Sequence, residues 1–396
     1  MKHLLISQKF MLVAVAVSIP IAVLSYFFVS DKNTDIEITR AELDGTAYLR
    51  PLRKLATDVA VHRDLMGAKL AGDTTFDAEI EKRRTMIDED FKEIAAQQAR
   101  SGLARADDFA SVRGDWDAIK GGLAQLTLET SFQQHTRQLS RILQFMSLIA
   151  NDSNLVLDSH VDSHYLIDAI VFRIPKLSAE ISTARAHGAP FLASGAQGEL
   201  NSLRRGELAG TVVKINDALY EAHHYLRYAA GKNYPATEAA MQGAIADNSK
   251  AVSAFSATLN DGVVNGSGQP LTVAAYFAAV APALEANDKL WTAAVTELDR
   301  LLNERTLSLQ RTIEIEILVV GLAMLFTIGF LFIVARAITQ PIQHLSEIAD
   351  RISLGDMDAQ IDIDSRDEIG DLGERFRRMQ VSLKAAMDAL DRQDQG

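Results

Sequence analysis

The chain has 396 residues, of which 48% are hydrophobic, 7% aromatic and only 8 proline, a balance that favours helices over sheets and suits a protein with both membrane and water-facing parts. It contains no cysteine, which excludes a disulfide framework, a Cys-ligated zinc site and a thiol nucleophile. The net charge of −12 divides into +2 over residues 1–9, −9 over residues 31–316 (30 Lys+Arg against 39 Asp+Glu) and −5 over residues 336–396 (8 against 13). No part carries the basic field that nucleic-acid binding needs.

Residues 1–9 carry Lys2 and Lys9, and residues 10–30 hold no charge. At 1.5 Å per residue that stretch covers roughly 30 Å, enough to cross a bilayer core. A cleavable leader ends in a small-x-small site, whereas Tyr26-Phe27-Phe28 occupies that region here, so an uncleaved anchor, kinked at Pro20, is expected.

Residues 31–316 read as helical throughout. Breaks at Gly72-Asp73, Ser101-Gly102, Asp158-Ser159, Gly188-Ala189-Pro190, Tyr234-Pro235 and Gly266 to Pro270 divide them into helices near 31–71, 75–101, 105–157, 162–192, 196–231, 235–262 and 271–316. A fifty-residue helix would extend roughly 75 Å, too long for one compact bundle. Two stacked bundles sharing long helices are expected, the first and last helix running on into membrane spans.

The most unusual stretch runs from Asn151 to Asp168, followed by Arg173 and Pro175. Asp158, Asp162, Ser163, Tyr165, Leu166, Asp168, Arg173 and Pro175 match a pattern, Leu-Asp-x-x-x-Asp-Ser-x-Tyr-Leu-x-Asp before an Arg and a Pro. It resembles a segment of the sensory regions of some bacterial chemoreceptors and sensor kinases. Asp162 or Ser163 can cap the following helix, Tyr165 and Asp168 share a face, and Arg173 can hold a carboxylate bidentately inside a bundle. Asp158, Asp162, Tyr165, Asp168 and Arg173 are therefore candidate ligand-binding residues. The same residues also suit a hydrogen-bonded corner between two helices. His160 and His164 would share a helix face, as a metal pair requires, but His160 falls in the turn; His223 and His224 point apart. No metal is expected. Trp116, Trp291, Tyr276 and Phe277 suit a core or a pocket wall.

Residues 317–335 form a second apolar span, with Glu314 and Glu316 before it as a solvated edge and Arg336 after it. Beyond it, Pro341 opens a helix at its first turn, whose apolar residues Ile338, Ile342, Leu345, Ala349 and Ile352 step by four and three, the spacing of a coiled-coil seam. Gly355 allows a turn, and Met357, Ile361 and Ile363 are apolar pegs along a connector. Asp367 and Glu368 place negative charge at the start of a second helix. Its residues Ile369, Leu372, Phe376, Met379, Leu383, Ala386 and Leu390 keep a strict three-four alternation. Arg377, beside Phe376, falls on the exposed face. Two seams joined by a connector that runs back imply a parallel pair completed as a four-helix bundle by a second chain.

Pro341-Ile342, Gly355-Asp356-Met357 and Asp367-Glu368-Ile369-Gly370 occur at the spacing of HAMP domains, and residues 336–390 resemble that family of linkers in bacterial transmembrane receptors. The resemblance implies an all-α fold: two transmembrane helices, an extracytoplasmic helical-bundle sensor domain, and a cytoplasmic HAMP four-helix bundle formed by a homodimer. It also sets orientation in the inner membrane, since the Lys and Arg flanking the first span are balanced. Both termini are then cytoplasmic and 31–316 is outside.

Neither a nucleophile elbow, a phosphate loop nor H-E-x-x-H occurs, so no enzyme activity and no cofactor are expected. Residues 391–396 leave no room for an output domain, which implies either a separate cytoplasmic partner or a longer parent chain. Two functions fit: a transmembrane sensor whose outer domain detects a small solute or a periplasmic binding protein, or a dimeric membrane scaffold that binds other proteins without a small ligand.

Overall fold

The computed structural model describes residues 4–103, 105–193, 199–231, 234–267 and 271–394; side chains of 199–201 and 390–394, and so that of Leu390, lie outside the description. Among the described residues every regular element is helical: α1 Ile6–Leu70, α2 Asp77–Arg100, α3 Ala106–Gly122, α4 Leu128–Asp152, α5 Val161–Asp168, α6 Ile174–Ala193, α7 Glu199–Ala229, α8 Pro235–Thr258, α9 Val273–Ser353 and α10 Glu368–Asp394. Widened π-helical turns, Ala169–Arg173 and Leu259–Val264, join α5 to α6 and extend α8. The chain forms two compact units, Thr34–Leu309 and the pair Met1–Asn33 with Gln310–Gly396. Both α1 and α9 pass from one to the other.

In the first unit, antiparallel side-chain pairs define two up-down-up-down sets. Tyr48 meets Phe145 and His62 meets His135 between α1 and α4; Trp116 donates to Asp88 between α3 and α2. In the other set Glu221 pairs with Lys176, His223 with Asn248, and Thr237 with Glu297. Two bundles are thus present, and they lie side by side with α1 packed against both, as Arg53–Ser178 and Arg63–Ser182 contacts to α6 show. Trp116, Trp291 and Phe145 belong to one apolar cluster, and Tyr276, Phe255 and Phe191 to a second built from α6 to α9. Phe277 packs at the rim.

The single helix expected over 105–157 is two. Gly121-Gly122 weaken the helix, and Thr127 and Thr130 exchange hydrogen bonds as a capping box that starts α4 afresh. α4 then ends at Asp152, and Asn154 turns through a left-handed φ of 63°. Gly45 is required opposite this turn, because a Cβ there would stand inside the Ser153 side chain.

In the second unit α1 and α9 each contain an apolar window with no buried residue, of mean hydropathy 2.5 and 2.9, long enough to cross a membrane. Pro341 lies inside α9 and does not open a new helix. A proline there removes one helical hydrogen bond and weakens the rod without ending it.

Candidate functional site

The segment after Pro341 is built by three short-range devices. At the end of α9 the Asp356 amide donates to the Arg351 carbonyl and the Gly355 amide to that of Ile352, with Gly355 at a φ of 97°; this is the left-handed glycine stop of a helix. The connector then runs extended, so Met357, Ala359, Ile361 and Ile363 turn one face inward at a period of two. At its far end Asp367 Oδ1 accepts from the amides of Ile369 and Gly370 at 3.0 and 3.3 Å and caps α10. The Ser365 hydroxyl above all, and then these amide bonds, hold the Asp367 carboxyl below the ordinary aspartate range. Gly370 passes so near the Ser365 carbonyl that no side chain fits.

Leu345, Ile352 and Ile361 gather with Ile348 and Ala359 into a small core, against which Met357, Ile363 and Phe376 pack. Pro341, Ile342 and Ile369 are only half-buried and Glu368 is exposed, while Leu372 and Met379 remain 41% and 45% exposed. The expected seam therefore divides. One face closes on the connector of its own chain, and the α10 face of Leu372, Met379 and Leu383 stays open.

Arg377, expected to be idle on the exposed face, donates to the Ile361 carbonyl at 2.9 Å. Gln380 donates to the carbonyls of Met357 and Ala359 at 3.0 and 2.7 Å. An extended connector has no ladder of its own, so its carbonyls need side-chain donors. The alternating Met357-x-Ala359-x-Ile361-x-Ile363 was the available sign of that conformation.

The five candidate ligand residues separate into two places. Asp158 is buried beneath α5, accepts from the His160 amide at 3.0 Å, and pairs with Arg305 at 3.2 Å. Burial raises its pKa, but Ser163, His160 and Arg305 outweigh this and hold it below the ordinary value. Arg305 also reaches Glu42 at 3.4 Å. Burial and the Asp158 charge push Glu42 up to about 7, against the pull of Arg305.

His160 occupies the N-cap of α5 and no side-chain cap bond is made there, so neither Asp162 nor Ser163 caps the helix as expected; Asp162 accepts instead from the amide of Ser163. Farther along, Arg173 Nε donates to Asp168 at 2.7 Å, and its other nitrogens donate to Glu221 and Tyr225. Tyr165 stacks on Tyr228 with ring centroids 5.2 Å apart. Arg173 is thus occupied by its own chain, the arrangement of a hydrogen-bonded corner. Among the described residues no group of three or more His, Asp or Glu is placed to hold a metal ion.

A paired apolar-helix anchor, a large helical unit and a connector-braced helix pair define a membrane-anchored protein with a helical linker. Residues 333–385 match the HAMP domain family, and the chain carries a HAMP domain there. Over 101 residues it is 33% identical to a putative sensory transducer protein of Acetivibrio thermocellus, covering 26% of this chain and 17% of that one. It is 35% identical over 81 residues to the methyl-accepting chemotaxis protein McpA of Bacillus subtilis (20% and 12%). It is 32% identical over 76 residues to the sensor protein SrrB of Staphylococcus aureus (19% and 13%). The chain thus spans less than a fifth of the length of each of these relatives. No solved structure matches.

Proposed function

We propose that this chain is a transmembrane signal transducer: the outer helical unit receives a stimulus, α9 carries it through the membrane, and the HAMP domain of a homodimer converts it into a change of packing. The observation that carries the reading is the continuity of α9, one helix from Val273 to Ser353. It includes Tyr276 and Trp291 in the outer cores, an apolar span, and Leu345 and Ile352 in the HAMP core. A stimulus acts only through differential affinity for two packings. The open α10 face of Leu372, Met379 and Leu383 supplies the surface for a second copy, as apolar stripes at this spacing bury themselves by pairing. The relatives' names, sensory transducer, chemotaxis protein and sensor protein, agree with this reading. An output domain or partner would follow the HAMP helices.

This reading sets the outer unit outside the inner membrane. A reporter enzyme active only in the periplasm, inserted at Gly266, should be active, and the same reporter joined after Gly396 should be inactive. The reverse pattern would overturn the orientation.

A further inference from the structure

At one end of the two apolar spans, α1 and α9 border a groove of about 450 Å³. Its walls are apolar, among them Phe10, Met11 and Ala14 of α1 and Ile328 and Leu331 of α9, and its mouth is polar, with Ser7, Arg336 and Thr339. From Ile328 to Thr339 the α9 side is about 17 Å long at 1.5 Å per residue, close to the depth of one leaflet of a hydrocarbon core about 30 Å thick. The groove therefore runs from the edge of the apolar span to near its middle. Only positive charge stands at the mouth. Lys9 and Arg336 are exposed, neither is in an ion pair among the described residues, and no Asp or Glu occurs in residues 1–30 or 317–346. A donor there is also unused. Thr327, inside the same span, donates to the Ala323 carbonyl at 2.8 Å, whereas the buried Thr339 hydroxyl has no hydrogen-bond partner. Arg336 and Thr339, three residues apart, share a face of α9. A buried hydroxyl left unpaired beside an unopposed cation is a cost that an anionic oxygen removes.

We propose that this groove binds an anionic phospholipid, its phosphate received by Arg336 and the Thr339 hydroxyl and one acyl chain lying between α1 and α9 against Phe10, Met11 and Leu331. Each part of the ligand has a separate source. The walls lie in the apolar spans, where the surrounding solvent is hydrocarbon, so an acyl chain fills them without displacing water. A cavity of about 150 Å³ receives a six-carbon ring, and a groove about three times larger receives a length of chain. The unopposed cations at the mouth select an anionic headgroup over a zwitterionic one, as basic pockets between spans do. A second copy seated here by two-fold symmetry would bring Lys9 and Arg336 toward their own counterparts, a repulsion that an anionic lipid does not meet. The inference is independent of the sensory reading and needs only that the two helices span a membrane.

The test exchanges the full chain in dodecyl maltoside micelles that hold equal amounts of phosphatidylglycerol and phosphatidylcholine with the same acyl chains, dilutes it into lipid-free detergent, and counts the lipid that stays bound by native mass spectrometry. Phosphatidylglycerol should be retained over phosphatidylcholine by about fivefold, the factor that one cation contributes toward an anionic lipid. Glycerol phosphate, the same headgroup without chains, should not be retained; its retention would assign the mouth to a free phosphate and overturn the lipid. Arg336→Gln should bring the two lipids to near equality, and Thr339→Val should lower retention of both, since both carry the phosphate. Ala14→Phe, which fills the groove and leaves every charge in place, should abolish retention of both; it decides the matter by itself if Arg336→Gln does not fold. Equal retention of the two lipids by the parent chain, or an unchanged preference in the folded Arg336→Gln and Ala14→Phe variants, overturns the proposal. Loss of the dimer in Ala14→Phe with no lipid retained by the parent would show that a second copy fills the groove, and would overturn it as well.

Discussion

The side-chain amide of Gln380 donates to the carbonyl of Ala359 at 2.7 Å and to that of Met357 at 3.0 Å, and so one residue of α10 fastens the connector at two points. With Arg377 donating to Ile361, the HAMP connector is held by polar side chains on one edge and by apolar pegs on the other. Gln380→Ala leaves two carbonyls without donors, a loss of about 1 to 3 kcal/mol. Hydrogen exchange across residues 356–363 should accelerate in this variant. Unchanged exchange would show that the pegs suffice.

Gly370 and Gly373 make a matched pair. A Cβ at Gly370 would collide with the backbone carbonyl of Ser365, which cannot move without breaking the α10 cap, whereas at Gly373 it would meet the Ile363 side chain at 3.3 Å. Gly370→Ala should lower the melting temperature of the HAMP domain by the equivalent of about 1 to 3 kcal/mol, the usual range for overpacking, and Gly373→Ala by clearly less. Equal effects would contradict the close approach at Ser365.

Acid and base work in opposite directions on two buried sites. His62 and His135 lie 2.8 Å apart. Burial lowers them to about 3 and about 4. As pH falls from 6.5 toward 4 the unfolded chain takes up protons that the folded chain refuses, and stability drops. Glu42, raised to about 7, holds a proton in the folded state that the unfolded chain has lost above about 4.5. Its contribution therefore falls as pH rises from 4.5 to 7 and is constant above. Relative to wild type, His135→Gln should gain stability as the solution is acidified and Glu42→Gln as it is made neutral, each by at most about 3 kcal/mol. Urea titrations across this range measure both. Parallel curves for variant and wild type would refute the burial of these charges.

The spans and the HAMP pattern were legible because apolar runs and three-four spacing are local signals, as are the glycine stop at Gly355 and the aspartate start at Asp367. The break before α4 was equally local, marked by Gly121-Gly122 and the Thr127 and Thr130 capping box. Pro341 resembled a helix start because a proline's geometry is the same at a first turn and within a helix that forgoes one bond. The polar seam between the bundles was not legible at all. Arg53 meets Ser178, 125 positions away, and nothing in the neighbourhood of either residue shows that α1 is packed on both sides. The corner at Asp158 to Arg173 was visible as a motif, but its partners Arg305, Glu221 and Tyr225 lie on distant helices.

The central claim is that α9 couples the outer unit to the HAMP domain, and Gly188 gives a way to test it without any ligand. Tyr276 of α9 donates to the Ala184 carbonyl of α6 at 2.8 Å, and a Cβ at Gly188 would stand 2.5 Å from the Tyr276 hydroxyl. Gly188→Ala therefore wedges α9 away from α6. In a chain without native cysteine, single cysteines at Leu372, Arg375, Met379, Gln380 and Leu383 can be oxidised in membranes and their crosslinking rates compared. Crosslinks are expected at Leu372, Met379 and Leu383, and not at Arg375 or Gln380. Gly188→Ala should change the ranking among the three. A folded Gly188→Ala protein whose crosslinking pattern is identical to that of the parent at every position would contradict the account.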